Sequence, residues 1–388
     1  MKFTDLAKGA RSAVALLAIA GMLTACSENK DEASTERLEP DVTTPEADAG
    51  KTFSGDNVIT KNVAYVSNQK SGVSIVDLGT MQIVGQIDVK AEDPRGIGVT
   101  DDGKLLITAN KDGNITVVDT ETREIVKQVE VGKNPEFVRL RGNLAYVSFE
   151  PSSKGGPPPK PGEEEEEEEE GGEPEEPARI AVIDIEQGKK IREIVGGPET
   201  EGIEFSADDS KLIITNEADN TVTVHDIETG NLLKTIDTKE HGIRPRGIKI
   251  SPDGQTYIAT LEHGNTFMVL DKDFNHIKTV KTGVSPYGVA FSPSGDQLLV
   301  ASAKDKLLQV FDAKTYEKIK DIGPTGDRCW HFSYTPDNKQ ILLACGRSDE
   351  VVVIDADKLE ITSRITGFAM PWGVVTYPKA HGSLDEGK

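Results

Sequence analysis

The chain has 388 residues, with 66 acidic side chains against 44 basic ones, and its formal net charge at pH 7 is −22. This excess of negative charge disfavours nucleic acid and anionic lipid as direct partners, because both are bound by clustered lysine and arginine side chains. A basic protein partner or a cation is compatible with it. The chain is poor in aromatic residues, at 5%, and has 37 glycines and 20 prolines, which is typical of an all-β chain with many turns.

The first 26 residues are predicted to be a bacterial lipoprotein signal peptide. Lys2, Lys8 and Arg11 precede an apolar run that is too short to span a bilayer. The LTAC segment that ends at Cys26 resembles a lipobox, which implies cleavage before Cys26 and attachment of lipid to its sulfur. A serine follows the cysteine, and by resemblance to Gram-negative sorting this favours the outer membrane, facing either the periplasm or the outside. The membrane would be reached through this anchor alone.

Three segments have compositions that predict disorder. Residues 27–56 are acidic and poor in large apolar side chains, so they are expected to be a tether. Residues 150–178 form a loop insertion rich in Glu, Pro and Gly, interpreted as a solvated loop, as a docking tail for a basic partner or as a weak binder of polyvalent cations. Residues 379–388 are expected to be a disordered tail.

A repeated strand motif organises the remaining residues, 57–378. Each copy lies in a unit of roughly 40 residues that reads as four short β-branched strands separated by turn residues. A single four-stranded sheet cannot bury both of its faces, whereas a ring of such sheets can. The sequence therefore predicts an all-β fold, a seven-bladed β-propeller of four-stranded blades. The motif, V-x-V-x-D or a close variant, occurs at residues 73–77, 115–119, 180–184, 222–226, 267–271, 308–312 and 351–355.

The two ends of this region are predicted to share one blade. The chain enters at VAYVSN, residues 63–68, which matches the second strand of a unit, and leaves at PWGVVTY, residues 371–377, which matches the first. Pairing the C-terminal strand with the N-terminal blade would close the ring and protect both strands from edge pairing.

The aspartate that ends each motif is predicted to be structural. Its carboxylate can accept hydrogen bonds from backbone N–H groups just after it, forming an Asx-turn. Seven equivalent carboxylates around a ring cannot converge on one substrate, so they are not a catalytic set. These residues are Asp77, Asp119, Asp184, Asp226, Asp271, Asp312 and Asp355.

The start of the first strand in each unit supplies the candidate binding site. In a propeller these positions surround one mouth of the central channel, and here their side chains differ where the surrounding scaffold repeats. Aromatic and arginine side chains are common binding anchors, so the mixture predicts a site for a protein partner or a small-molecule ligand; the alternative is that the aromatics plug the channel. The candidates are Arg95, Glu136, Phe137, Glu201, Arg246, Tyr287, Trp330, His331 and Trp372.

Catalytic motifs are absent from the sequence: it has no G-x-S-x-G, H-E-x-x-H, phosphate-binding glycine loop or C-x-x-C. No catalytic residue, metal or cofactor is therefore predicted, and a non-enzymatic function is favoured. His241, His263 and His331 could approach the mouth from successive blades and, with Glu201, hold a metal or haem, although scattered histidines are more often packing residues.

Cys329 and Cys345 remain after lipidation, on neighbouring strands of one unit. If Thr335 pairs with Lys339, the two cysteines are cross-strand neighbours. An oxidising envelope permits a disulfide, whereas a hydrogen-bonded strand pair is an unfavourable geometry for one. The sequence leaves open whether they are bonded.

The YVSN segment at residues 65–68, the repeated V-x-V-x-D, P-x-G-I and S-P-D-G resemble the YVTN family of β-propeller repeats. The closing part, residues 330–375, is similar to periplasmic propellers associated with pyrroloquinoline-quinone-dependent alcohol catabolism, which implies no catalytic residue that can be transferred. The broader resemblance implies two alternatives to a binding protein: a lactonase-type enzyme, or a haem- or quinone-pathway propeller akin to nitrite reductases, whose propellers have one blade more.

Overall fold

In the computed structural model, residues 61–151 and 176–385 are described, and they form seven four-stranded antiparallel sheets. The predicted seven-bladed propeller is confirmed. The one helix in the described ranges is a 3-10 turn, Gly346–Ser348, so none there is long enough to cross a membrane. Cys26, the tether and residues 152–175 of the insertion lie outside the described residues.

The strands follow the alternating runs seen in the sequence. In the first half of the chain they are β1 (Val63–Asn68), β2 (Gly72–Asp77), β3 (Gln82–Ile87), β4 (Pro94–Val99), β5 (Leu105–Asn110), β6 (Asn114–Asp119), β7 (Ile125–Glu130), β8 (Val138–Arg141), β9 (Leu144–Phe149), β10 (Arg179–Asp184), β11 (Lys189–Val195), β12 (Thr200–Phe205), β13 (Lys211–Asn216), β14 (Thr221–Asp226) and β15 (Leu232–Asp237).

The second half continues the same pattern. Its strands are β16 (Pro245–Ile250), β17 (Thr256–Leu261), β18 (Thr266–Asp271), β19 (His276–Lys281), β20 (Pro286–Phe291), β21 (Gln297–Ser302), β22 (Leu307–Asp312), β23 (Lys318–Ile322), β24 (Cys329–Tyr334), β25 (Gln340–Cys345), β26 (Glu350–Asp355), β27 (Glu360–Thr366) and β28 (Pro371–Tyr377). The sheets are β28-β1-β2-β3, β4 to β7, β8 to β11, β12 to β15, β16 to β19, β20 to β23 and β24 to β27.

The last strand closes the ring, as predicted. β28 pairs antiparallel with β1, with Val63 opposite Tyr377 and Val66 opposite Val374. The core lies between neighbouring blades. For example, Val66 of the first blade belongs to the same buried cluster as Leu342 of the last.

The motif aspartates form the expected turns. Asp77 accepts a hydrogen bond from the Gly79 N–H at 2.8 Å, and Asp119 accepts one from the Thr122 N–H at 2.8 Å. The other five motif aspartates accept equivalent bonds two or three residues on. The Thr122 N–H lowers the pKa of Asp119 below its ordinary value, because a hydrogen bond to the ionised form stabilises that form. These carboxylates therefore have a structural role in stabilising the turns.

In several blades, a basic side chain on the fourth, outermost strand forms a hydrogen bond to the next blade. Its charged end donates to backbone carbonyls in the turn between the third and fourth strands of the neighbouring blade, which the sequence analysis did not anticipate. The pairs are Lys127 with Glu186, Arg192 with Glu228, Lys234 with Asp273, Lys278 with Thr315 and Lys320 with Lys358.

A disulfide joins Cys329 and Cys345. The predicted turn register is wrong: the Thr335 N–H donates to Gln340, not to Lys339. The register between β24 and β25 then shifts by one residue between Cys329 and Phe332, and this irregularity brings the cysteines opposite each other. A β-bulge therefore produces the pairing that a regular hairpin was expected to give.

The C-terminal residues 379–385 are ordered, which corrects the prediction of a disordered tail. The Ser383 N–H donates to the Phe332 carbonyl at 2.9 Å, and the Tyr334 N–H donates to the His381 carbonyl at 2.8 Å. Leu384 is buried. Composition alone was misleading because the contacts that hold the segment, which are backbone hydrogen bonds to Phe332 and Tyr334 and the burial of Leu384, depend on the rest of the chain. Residues 386–388 lie outside the description.

Candidate functional site at the channel mouth

A repeated β-bulge shapes the candidate site. The innermost strand of each blade is the first strand of its sheet, which is β28 in the blade that closes the ring. In six blades the register between this strand and the second strand shifts by one residue at the start of the innermost strand. The extra residue lies at the candidate positions at the start of the first strand of each unit, such as Arg95 in β4 and Arg246 in β16. Bulges redirect side chains at the rims of sheets. The side chains at the mouth therefore do not follow the regular in-and-out alternation of the rest of the strand.

Hydroxyl groups of neighbouring blades fix the backbone at these positions. The Ser67 hydroxyl donates to the Arg95 carbonyl at 2.6 Å, and the Thr215 and Thr260 hydroxyls donate to the carbonyls of Arg246 and Tyr287 at 2.6 and 2.7 Å. Each bond crosses from one blade to the next. The mouth residues are therefore held on a rigid framework.

Glycine after the bulge allows neighbouring blades to approach closely. A Cβ atom on Gly96 would lie 2.5 Å from the Glu136 carbonyl oxygen, and one on Gly288 would lie 2.3 Å from that of Trp330. Phe137 and His331 occupy this position in their own blades, and both side chains are buried in the channel.

The charged mouth residues form a connected layer. Arg95 pairs with Glu136 at 2.9 Å, and Arg246 contacts Glu201 and also Glu262, at 2.6 Å. Burial alone would raise the pKa of Glu262, but Arg246 and Arg244 outweigh it and bring the pKa down to about 2. Glu262 is therefore ionised at neutral pH.

Three glutamates of this layer were missed by the sequence analysis. Glu150, Glu217 and Glu262 each directly follow the second strand of their blade, after β9, β13 and β17. Glu217 contacts both Arg244 and Arg246. The signal was present in the sequence, since three successive units carry glutamate at this position, but only the start of the first strand was compared.

Two carboxyl groups of the layer resist ionisation. Burial, together with the charges of Glu136 and Glu201, raises the pKa of Glu150 to about 8, although Asn134 donates a hydrogen bond to it at 3.0 Å. Burial also raises the pKa of Glu201 to about 7, because Arg246 only partly offsets it and Glu136 adds repulsion. The layer therefore carries more carboxyl groups than its cations can neutralise.

The aromatic candidates are buried, and four of them pack on one another. The His331 ring centroid lies 4.3 Å from that of Trp372, 5.4 Å from that of Tyr287 and 6.0 Å from that of Phe137. Trp330 and Trp372 are only 4% and 2% exposed. The rings of Phe137, Tyr287, His331 and Trp372 therefore pack on one another across the channel, whereas the Trp330 ring lies against Gly346.

Tyr287 connects the two layers. Its hydroxyl donates to Glu201 at 3.2 Å, and the Arg246 guanidinium lies 5.0 Å from its ring centroid. Burial and, to a smaller degree, Lys249 lower the pKa of His331 to about 3, so its imidazole is neutral at physiological pH. The aromatic layer thus forms an uncharged floor beneath the charged mouth.

The histidines do not converge. His241 stacks on His276 with ring centroids 3.8 Å apart, whereas His331 lies among the channel aromatics. Within residues 61–151 and 176–385, no group of three or more histidine, cysteine, aspartate or glutamate residues is arranged to hold a metal ion.

Replacing Glu150 with glutamine should flatten the dependence of stability on pH. The raised pKa means that the folded protein keeps a proton that the unfolded chain loses above its ordinary value of 4.5. This contribution is fully present below pH 4.5 and is lost as the pH rises through about 8. We expect the wild type to lose unfolding free energy through this group at a slope on the order of 1 kcal/mol per pH unit between pH 4.5 and about 8, measured by denaturant titration.

The matched control is Glu121→Gln, in an exposed turn, which should keep the wild-type pH dependence. Equal slopes for the wild type and Glu150→Gln would contradict the assignment.

The fold and this site define the chain as a seven-bladed β-propeller with a charged channel mouth above an aromatic floor. No protein-family profile matches it. It is 23% identical over 211 residues to the uncharacterized protein YncE of Salmonella typhimurium, an alignment that covers 53% of this chain and 52% of YncE. The chain thus spans about half the length of the curated relatives that it matches.

Solved structures share the fold. A functionally unknown protein from Desulfotomaculum acetoxidans superposes with a TM-score of 0.67 at 17% identity, covering 81% of this chain and 98% of the other. The periplasmic gluconolactonase PpgL of Pseudomonas aeruginosa superposes with a TM-score of 0.65 at 15% identity, covering 80% and 98%. At these identities the likeness establishes the propeller fold.

Proposed function

We propose that the protein is a non-enzymatic, lipid-anchored binding protein of the cell envelope, whose channel mouth binds an amine or guanidinium group of a protein partner or small ligand. The observation that carries this proposal is the surplus of carboxyl groups in the mouth. Arg95, Arg244 and Arg246 face a larger acidic set, Glu136, Glu150, Glu201, Glu217 and Glu262.

A cationic ligand would supply the charge that the mouth lacks. At neutral pH, Glu150 and Glu201 remain partly protonated, because burial and repulsion from neighbouring carboxylates outweigh the stabilisation that Arg246 gives to Glu201. A bound ammonium or guanidinium group would favour those ionised forms, so binding would release protons. The rigid backbone beneath the layer keeps the carboxyl groups in place before the ligand arrives, which reduces the ordering that binding requires.

Calorimetric titration of the full chain with trilysine tests this proposal. We expect the affinity to rise between pH 6 and pH 9, as Glu150 and Glu201 ionise. The double variant Glu136→Gln and Glu150→Gln should bind at least about tenfold more weakly than the wild type. Glu121→Gln, which changes the net charge away from the mouth, should bind like the wild type.

Fully acetylated trilysine is the ligand control, because it has the same length without the side-chain charges. Equal binding of the two peptides, or no loss of affinity in the double variant, would overturn the proposal. If the proposal holds, crosslinking in envelopes would identify physiological partners as the proteins that are recovered with the wild type and not with the double variant.

A lactonase-type enzyme is the second candidate, favoured by the raised pKa of Glu150. A carboxyl group whose pKa lies near the working pH is suited to general acid–base catalysis, and Glu150 lies beside Glu136 in the mouth. Hydrolysis of gluconolactone by the wild type, lost in Glu150→Gln, would support this candidate over simple binding. No turnover on a panel of lactones would count against it.

A further inference from the structure

Three charged side chains meet inside the channel, further along the strands from the mouth. Arg139, Glu204 and Lys249 each follow a mouth residue by three positions on successive innermost strands, and they are 5%, 1% and 3% exposed. Arg139 donates to Glu204 at 2.6 Å, and Lys249 lies 3.6 Å from the other oxygen of the same carboxylate.

The two cations also hold the backbone of the C-terminal segment, residues 380–385. Arg139 donates to the Leu384 carbonyl at 2.6 Å, and Lys249 donates to the Asp385 carbonyl at 3.0 Å. Backbone carbonyls are present in every peptide, so these two contacts bind an extended chain without regard to its side chains.

Two side chains of the segment also make specific contacts with the channel. The Ser383 hydroxyl accepts a hydrogen bond from the Phe332 N–H at 3.0 Å and lies 3.1 Å from Nδ1 of His331. The Leu384 side chain is 3% exposed and fills the space above Gly373, where a Cβ atom would lie 2.7 Å from Leu384 Cδ1. The site therefore distinguishes a serine and a large aliphatic residue.

The segment is not needed to complete any blade. The sheet of the first blade ends at Tyr377, and the segment adds a single antiparallel bridge, between Ser333 and Gly382. Backbone pairing for affinity, combined with pockets for individual side chains, is how domains bind peptides by strand addition. We propose that this end of the channel is an exchangeable peptide-binding site, occupied by the chain's own C-terminal segment and selective for an extended segment with serine followed by a large aliphatic residue.

Covalent attachment makes the segment a strong competitor. A short linker gives an effective concentration on the order of millimolar, so a free peptide binds the intact chain weakly. A partner that carries the same pattern would gain access when the segment is released.

The test uses a chain that ends at Lys379 and an acetylated, amidated peptide of residues 380–385. Calorimetry should detect binding to the shortened chain and at least tenfold weaker binding to the full chain. A peptide carrying Leu384→Ala should bind at least tenfold more weakly, because the large aliphatic side chain fills a buried site. Lys249→Met in the shortened chain should weaken binding, whereas Lys272→Met, on the exposed surface, should not.

A second variant protects the test if the shortened chain does not fold. Leu384→Asp in the full chain places a charge in the buried site and should release the segment, which hydrogen exchange of residues 380–385 would show. That variant should then bind the free peptide more tightly than the wild type does. If a folded shortened chain or the released variant fails to bind the peptide, or binds the Leu384→Ala peptide equally well, the proposal is overturned.

Discussion

Trp372→Ala should destabilise the propeller by about 3 to 5 kcal/mol, the range for removing a large aromatic side chain from a core. Trp372 is among the largest fully buried side chains, and its ring contacts His331 and Phe137 from two other blades. It also lies on β28, the strand that closes the ring. Thermal unfolding should show a fall in Tm on the order of 10 °C.

The controls for this prediction separate cavity formation from loss of apolar surface. Leu233→Ala removes a side chain that is 54% exposed on an outermost strand, and it should change stability by less than about 0.5 kcal/mol. Trp372→Phe should fall between the two because it leaves a smaller cavity. A Trp372→Ala protein that melts like Leu233→Ala would show that the aromatic layer contributes little to the fold.

Glu204→Gln should destabilise the protein by about 3 kcal/mol, because it leaves Arg139 and Lys249 buried without their shared counter-charge. Glu204 is 1% exposed and contacts both cations. Denaturant unfolding at neutral pH measures the change in unfolding free energy.

Glu193→Gln is the matched control, since Glu193 also contacts two cations, Lys190 at 2.6 Å and Arg179 at 3.2 Å, but near the surface. Salt bridges at that level of exposure contribute between 0 and about 1 kcal/mol. Similar losses in the two variants would contradict the view that burial makes the Glu204 cluster critical.

The repeat made the fold predictable, because one strand motif ending in aspartate specifies a blade wherever it occurs. The candidate site was only partly predictable. Alignment found Arg95 and Arg246, but their orientation depends on a one-residue bulge, and a bulge is set by contacts between strands that no single strand sequence shows. Glu150 was missed because it was assigned to the insertion.

The tail was missed for a different physical reason. Residues 379–385 have a polar composition, and Leu384 becomes an anchor only when seven blades enclose a cavity for it. Composition describes what a segment can bury by itself, whereas the order of this one depends on the surface that the rest of the chain presents.

The sharing of one blade by both ends of the propeller has a consequence for how it unfolds. An open stack of repeats frays from a terminal unit, because that unit has a neighbour on one side only. Here β28 and β1 pair across the junction, so every blade has two neighbours and none is terminal. Unfolding should therefore be a single cooperative event that begins with the parting of these two strands.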